Sequence, residues 1–151
     1  MFERFARHAR DAVLLAIDEA GRRGDRKVST DHLLIGILHD PAIAQEVGAG
    51  PDAARQAADR LDRDALATIG VDAGAFGTLA SAAGSTRLPF TPNAKSVLKQ
   101  ALAHTTTEKA RHIQTTHLLR ALLERDAPDP AAELLAELRT GPRTRTNADR
   151  Q

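Results

Sequence analysis

The 151-residue chain has no cysteine, tryptophan or tyrosine, and only four phenylalanines. Without cysteine there is no disulfide, no thiolate nucleophile and no thiolate-held metal. Few aromatics leave a core of Ala, Leu, Ile and Val, which suits close-packed helices better than a sheet. Charge of one sign is also missing: 21 basic residues stand against 20 acidic, a net of +1. That balance gives no overall field for nucleic acid. No apolar run approaches the ~20 residues of a membrane span. Met1 to Arg10 carry no signal-like apolar core. Together with the missing cysteines, these features point to a cytoplasmic protein.

Chemical motifs are equally scarce. No G-x-x-x-x-G-K-[ST] phosphate loop occurs, and Gly24 to Thr30 comes nearest but lacks the glycine before lysine. Ser29, Ser81, Ser85 and Ser96 have no G-x-S-x-G setting. His104 and His112 are eight residues apart, which matches no zinc spacing. Glu108 beside Lys109 reads as a surface ion pair. The expectation is a protein that is not an enzyme and holds no metal or cofactor.

What the chain does have is an internal repeat. Shifted by 85 residues, it matches itself without gaps: Phe5 on Phe90, Ala9 on Ala94, Ala16 on Ala101, Thr30 on Thr115, His32 on His117 and Leu38 on Leu123. Arg10 with Lys95, Val13 with Leu98 and Val28 with Ile113 are conservative matches. Such a period implies two copies of one helical unit packed as a pseudo-two-fold pair.

Each copy opens with an amphipathic helix. Phe5, Ala9, Ala12, Val13, Ala16 and Ala20 form one stripe, stopped by Gly21 and Gly24. Thr91 as cap and Pro92 at the first helical position start its counterpart, with Ala94, Val97, Leu98 and Ala101 as the stripe. Thr30 to Leu38 and Thr115 to Leu123 predict shorter helices whose threonine hydroxyls cap them. Asp31 complements the first helix's dipole, and His32 and His117 read as packed, hydrogen-bonded structural histidines. Further helices are predicted over Ala42 to Val47, Pro51 to Ile69, about Asp72 to Ala83, and Ala131 to Leu138. Gly84 to Thr86 is a loop between the copies, and the polar 141–151 tail is expected to be disordered.

Three stretches carry a family likeness. Met1-Phe2-Glu3-Arg4-Phe5 opens the chain. Thr30-Asp31-His32-Leu33-Leu34-Ile35-Gly36-Ile37-Leu38 is similar to a Thr-Glu-His-hydrophobic-Leu-Leu-Gly-Leu motif, and Leu88-Pro89-Phe90-Thr91-Pro92-Asn93-Ala94-Lys95 to a Pro-Phe-Thr-Pro-Arg-Ala-Lys segment. In this order they resemble the Clp N-terminal (Clp R) repeat domain of AAA+ unfoldases, closest to the ClpC type. The resemblance implies an all-α, pseudo-two-fold double Clp N repeat over 1–140. Repeat 1 would span about 2–83 and repeat 2 about 89–138, the second without its last helix.

The resemblance further implies a non-catalytic domain that binds protein substrates, adaptors or Clp unfoldase components. Phosphoarginine and cyclic peptides join them as ligands of the ClpC type. Phe2, Arg10, Phe90 and Lys95 match that type's antibiotic-binding groove, where Lys99 replaces an acidic residue. Asp31 matches the acidic position linked to phosphoarginine, and Thr116 lacks the carboxylate in the second copy. A free domain of this kind would act as a decoy or regulator of a Clp unfoldase. The alternatives are the N-terminal fragment of a full ATP-dependent unfoldase and, on arginine content alone, a DNA-associated helical regulator. No membrane partner is expected.

Overall fold

The computed structural model describes residues 4–70 and 88–140. These form seven helices: α1 (Arg7–Arg22), α2 (Thr30–Ile37), α3 (Pro41–Val47), α4 (Pro51–Thr68), α5 (Pro92–Thr107), α6 (Thr115–Leu123) and α7 (Pro130–Thr140). No strand occurs among the described residues, so the expected all-α class holds. The helix expected over Asp72 to Ala83, the loop at Gly84 to Thr86 and the 141–151 tail lie outside the described residues.

The α1 stripe of Ala9, Ala12, Val13, Ala16 and Ala20 is buried, as are Ala94, Val97, Leu98 and Ala101 on α5. Helix α1 packs on α2 and α5 on α6, while α2 also meets α6 and α7, and α4 rests on α7. Alanine and glycine permit close approach at the α1–α2 crossing. A Cβ on Gly36 would sit 2.3 Å from the Ala12 carbonyl oxygen.

The two copies exchange partners at their entry segments. Phe5 pairs in a parallel bridge with Ile113, and Phe90 with Val28. Ala6 N–H donates to the Ile113 carbonyl and Ile113 N–H to Arg4, at 2.9 and 2.8 Å. Thr91 N–H donates to Val28 and Val28 N–H to Pro89, also at 2.9 and 2.8 Å. Every residue in the first set lies 85 positions from its counterpart in the second, so the copies are clasped reciprocally. Each bridge satisfies backbone groups that would otherwise be buried alone.

Three local expectations are corrected. Gly21 does not stop α1; it lies inside the helix, and Gly24 at φ 78° follows the Arg23 C-cap. The N-caps of α2 and α6 are Ser29 and Gln114, one residue before the expected threonines. The Thr30 and Thr115 hydroxyls instead donate across the molecule, to Asp129 at 2.5 Å and Asp40 at 2.8 Å. Glu108 does not pair with Lys109. It takes hydrogen bonds from His117 Nε2 at 2.9 Å and lies 2.6 Å from Arg120, while Lys109 sits in the left-handed region at φ 59°.

Candidate functional site

Two of the recesses on the described surface contain residues singled out from the sequence. The first forms where α5 passes the Phe5–Ile113 bridge. Lys95, Leu98, Lys99 and Leu102 follow one another at helical steps of three, one and three, so one face of α5 presents all four. With Arg4, Phe5 and Ile113 they line a groove of about 540 Å³. Phe5, Leu98 and Ile113 are buried and Leu102 is half-buried, giving an apolar floor. Arg4, Lys95 and Lys99 are exposed on its rim, and none forms an ion pair with another described residue. The bridge explains why a groove persists here. Pairing of Phe5 with Ile113 fixes one wall, and α5 is fixed as the other by its buried stripe.

The second site, about 420 Å³, lies at the start of α2 and is lined by Arg23, Asp25, Arg26, Lys27, Ser29, Asp31, His32 and Asp62. His32 organises it. Its Nδ1 accepts the Ser29 backbone N–H at 2.9 Å, and its Nε2–H donates to Asp25 at 2.8 Å. This is a capping box with imidazole in place of the usual Glu or Gln. Because Nδ1 accepts, the ring is held as the Nε2–H tautomer. His117 repeats the arrangement, accepting from Gln114 at 2.8 Å and donating to Glu108. Both histidines are buried, as a structural role requires.

Asp31 lines this second site but is already engaged. It accepts from the Ser29 hydroxyl, and from its neighbour His32 N–H at 3.0 Å. Arg23 reaches Asp59 at 2.9 Å and Asp62 at 2.7 Å. Partial desolvation, the largest cause, raises the Asp62 carboxyl above the ordinary aspartate range; Arg23 pulls it down, and Asp31 and Asp25 push it up again. Three carboxylates therefore compete for positive charge in one recess, with Arg26 and Lys27 exposed at its edge.

The residues singled out from sequence fall at several places in the fold. Lys95 lines the apolar groove. Arg10 is exposed on α1, and Phe90 is half-buried against the core beside Val28. They occupy, in the other copy, the positions of Lys95 and Phe5. Asp31 belongs to the charged recess, and Phe2 lies outside the described residues. Sequence reasoning missed Arg4, Phe5, Leu98, Leu102 and Ile113 as groove residues. The 95/98/99/102 spacing was a signal, but only the cross-copy bridge supplies the opposite wall. No cluster of three His, Asp or Glu suited to a metal occurs among the described residues. None of their helices is long and apolar enough to cross a membrane.

The comparisons with known proteins agree with this architecture. The model of the Clp repeat (R) N-terminal domain matches residues 4–138. The ATP-dependent Clp protease ATP-binding subunit ClpA homolog of Porphyra purpurea is 32% identical over 138 residues, covering 91% of this chain and 16% of that protein. The chloroplastic chaperone protein ClpC1 of Oryza sativa subsp. japonica is 31% identical over 147 residues, covering 94% and 14%. The chain thus spans about a sixth of the length of these relatives. The crystal structure of the N-terminal domain of the caseinolytic protease associated chaperone ClpD from Arabidopsis thaliana superposes with a TM-score of 0.67 at 26% identity, covering 91% of this chain and 89% of that one. With a match over nearly all of its length, the chain belongs to the Clp repeat (R) N-terminal domain family.

Proposed function

We propose that the protein captures extended segments of client or adaptor proteins, performs no chemistry on them, and regulates a Clp unfoldase by holding ligands that the unfoldase also receives. The observation that carries this reading is the α5 groove. It is a pre-formed apolar recess of about 540 Å³, rimmed by three cations without ion-pair partners among the described residues. Such a recess offers burial of about 25 cal/mol per Å² to an inserted apolar side chain and leaves the rim to select charge. Family membership supports the general role of receiving substrates or adaptors; the decoy role is our extension.

The test is capture of a permanently unfolded protein, carboxymethylated lactalbumin, followed by calorimetry. Binding by the wild type, and its loss in a Leu102→Asp variant that keeps the wild-type helical circular dichroism at the assay temperature, is the expected result. Equal binding by both proteins would remove the groove from the mechanism. For the regulatory role, added protein should slow degradation of the same client by a complete Clp protease.

The Asp31 recess supports a second ligand class. Its carboxylates suit a guanidinium and its edge cations suit a phosphate, so phosphoarginine fits its chemistry. Titration with an arginine-phosphorylated peptide against Asp31→Ala checks this. The second copy has exposed Thr116 at the matching position, so one site per chain is expected.

The relatives' length favours another reading of context, in which these residues serve as the N-terminal receiving domain of a full unfoldase. Coding sequence continuing into a phosphate-loop motif would establish it.

A further inference from the structure

We propose that the α5 groove selects one ligand chemistry: an extended peptide whose apolar side chains are flanked by Asp or Glu. This rests on the groove being a docking site, as argued above. Among the described residues, every charged one lining it is basic, and Arg4, Lys95 and Lys99 surround a floor of Phe5, Leu98, Leu102 and Ile113. That concentration is local, because the chain as a whole carries a net charge of only +1. The Asp25, Asp31 and Asp62 carboxylates gather instead in the separate α2 recess.

The absence of ion pairs at these three cations, among the described residues, is what gives the rim its selectivity. Some other arginines of the molecule are neutralised, as Arg23 is by Asp59 and Asp62 and Arg120 by Glu108. An unpaired cation at the edge of a low-dielectric recess attracts a carboxylate more strongly than the same cation in open water. Lys95 and Lys99 lie one turn apart on α5, so both face the same length of bound chain. Apolar residues would enter between them and the Phe5–Ile113 bridge. A peptide suits the site better than an anionic membrane or a nucleic acid. The floor is recessed, and among the described residues no exposed aromatic side chain lines it for base stacking.

The experiment measures fluorescence anisotropy of three labelled peptides against the full chain. Each has four central leucines, flanked on both sides by three glutamates, three glutamines or three lysines. In 0.05 M salt the glutamate peptide should bind at least tenfold tighter than the glutamine peptide and more tightly still than the lysine peptide. In 1 M salt the preference should fall below about twofold, since screening then acts within ~3 Å. Lys95→Glu with Lys99→Glu should invert the order, favouring the lysine peptide; both positions are exposed, so folding is preserved.

Equal binding of the glutamate and glutamine peptides, abolished in both cases by Leu102→Asp, would overturn the charge selection while leaving the groove as a docking site. Failure of all three peptides to bind would overturn both readings. Competition by phosphatidylserine vesicles or oligothymidylate as effective as the glutamate peptide, at equal negative charge, would overturn the peptide assignment in favour of a general anion surface.

Discussion

The Thr30 hydroxyl, at the start of α2, donates a 2.5 Å hydrogen bond to the carboxylate of Asp129, 99 residues away at the start of α7. Both residues are buried. The same carboxylate oxygen accepts the Ala131 backbone N–H at 2.9 Å, and the other oxygen takes Arg125 at 3.1 Å. Thr115 and Asp40 form the reciprocal pair at 2.8 Å, and Asp40 caps α3 through Ala42 N–H. Each copy therefore orients the helix-capping aspartate of the other.

Removing these hydroxyls should cost unequal amounts. Thr30→Val leaves a fully buried Asp129 short of one donor, and about 1–3 kcal/mol should be lost. Thr115→Val leaves Asp40 partly in water, so about 1 kcal/mol or less is expected. Urea denaturation of the two variants checks the order.

Two glycine substitutions should act in opposite directions. Gly36→Ala drives a Cβ to 2.3 Å from the Ala12 carbonyl, so α1 and α2 must separate, at about 2 kcal/mol or more. Gly21→Ala meets nothing within 4 Å inside a helix, and should stabilise by about 0.5 kcal/mol. Thermal melts of both variants should bracket the wild type.

Lys109 occupies the left-handed conformation that Gly24 fills in the first copy, 85 residues earlier. After each, a backbone N–H reaches back to the helix: Asp25 to Ala20 at 2.9 Å and Ala110 to Thr105 at 3.0 Å. A side chain there carries a steric penalty that glycine avoids. Lys109→Gly should raise stability by about 0.5–1 kcal/mol, measured by chemical denaturation.

Glu108 gives a pH signature. Its hydrogen bond from His117, then that from Arg120, hold its carboxyl below the 4.5 of an unperturbed glutamate. A lowered folded-state value means that the stabilisation is present above the unfolded value and lost as pH falls through the folded one. Glu108→Gln should therefore melt below the wild type at pH 7, and the gap should close as pH is lowered beneath 4.5. A gap unchanged at pH 3 would show that the carboxylate's charge is not what His117 and Arg120 require.

The helices were legible because their signals are local. The stripe from Ala9 to Ala20 and the Thr91-Pro92 start depend on neighbours a turn apart, and α1 and α5 form where those patterns lie. The threonines were legible as important but misread as caps, because sequence spacing cannot say which of two adjacent polar side chains faces its own helix. His32 and His117 were recognised as structural, yet their carboxylate partners, Asp25 and Glu108, sit at different offsets in the two copies. Lys95 is singled out by the sequence and lines the groove, whereas Phe5 and Ile113, the opposite wall, read simply as core.

By itself the sequence determined that this is a cysteine-free, helical chain built from two related units, since apolar periodicity and an 85-residue repeat are properties of residue order alone. Only the tertiary structure decided that Phe5 pairs with Ile113 and Phe90 with Val28, and that Thr30 reaches Asp129. Those contacts join residues far apart in the chain, and their geometry is set by how the units pack against each other. The groove exists because of that packing, which brings Arg4 and Phe5 of one unit beside Ile113 and the α5 face of the other.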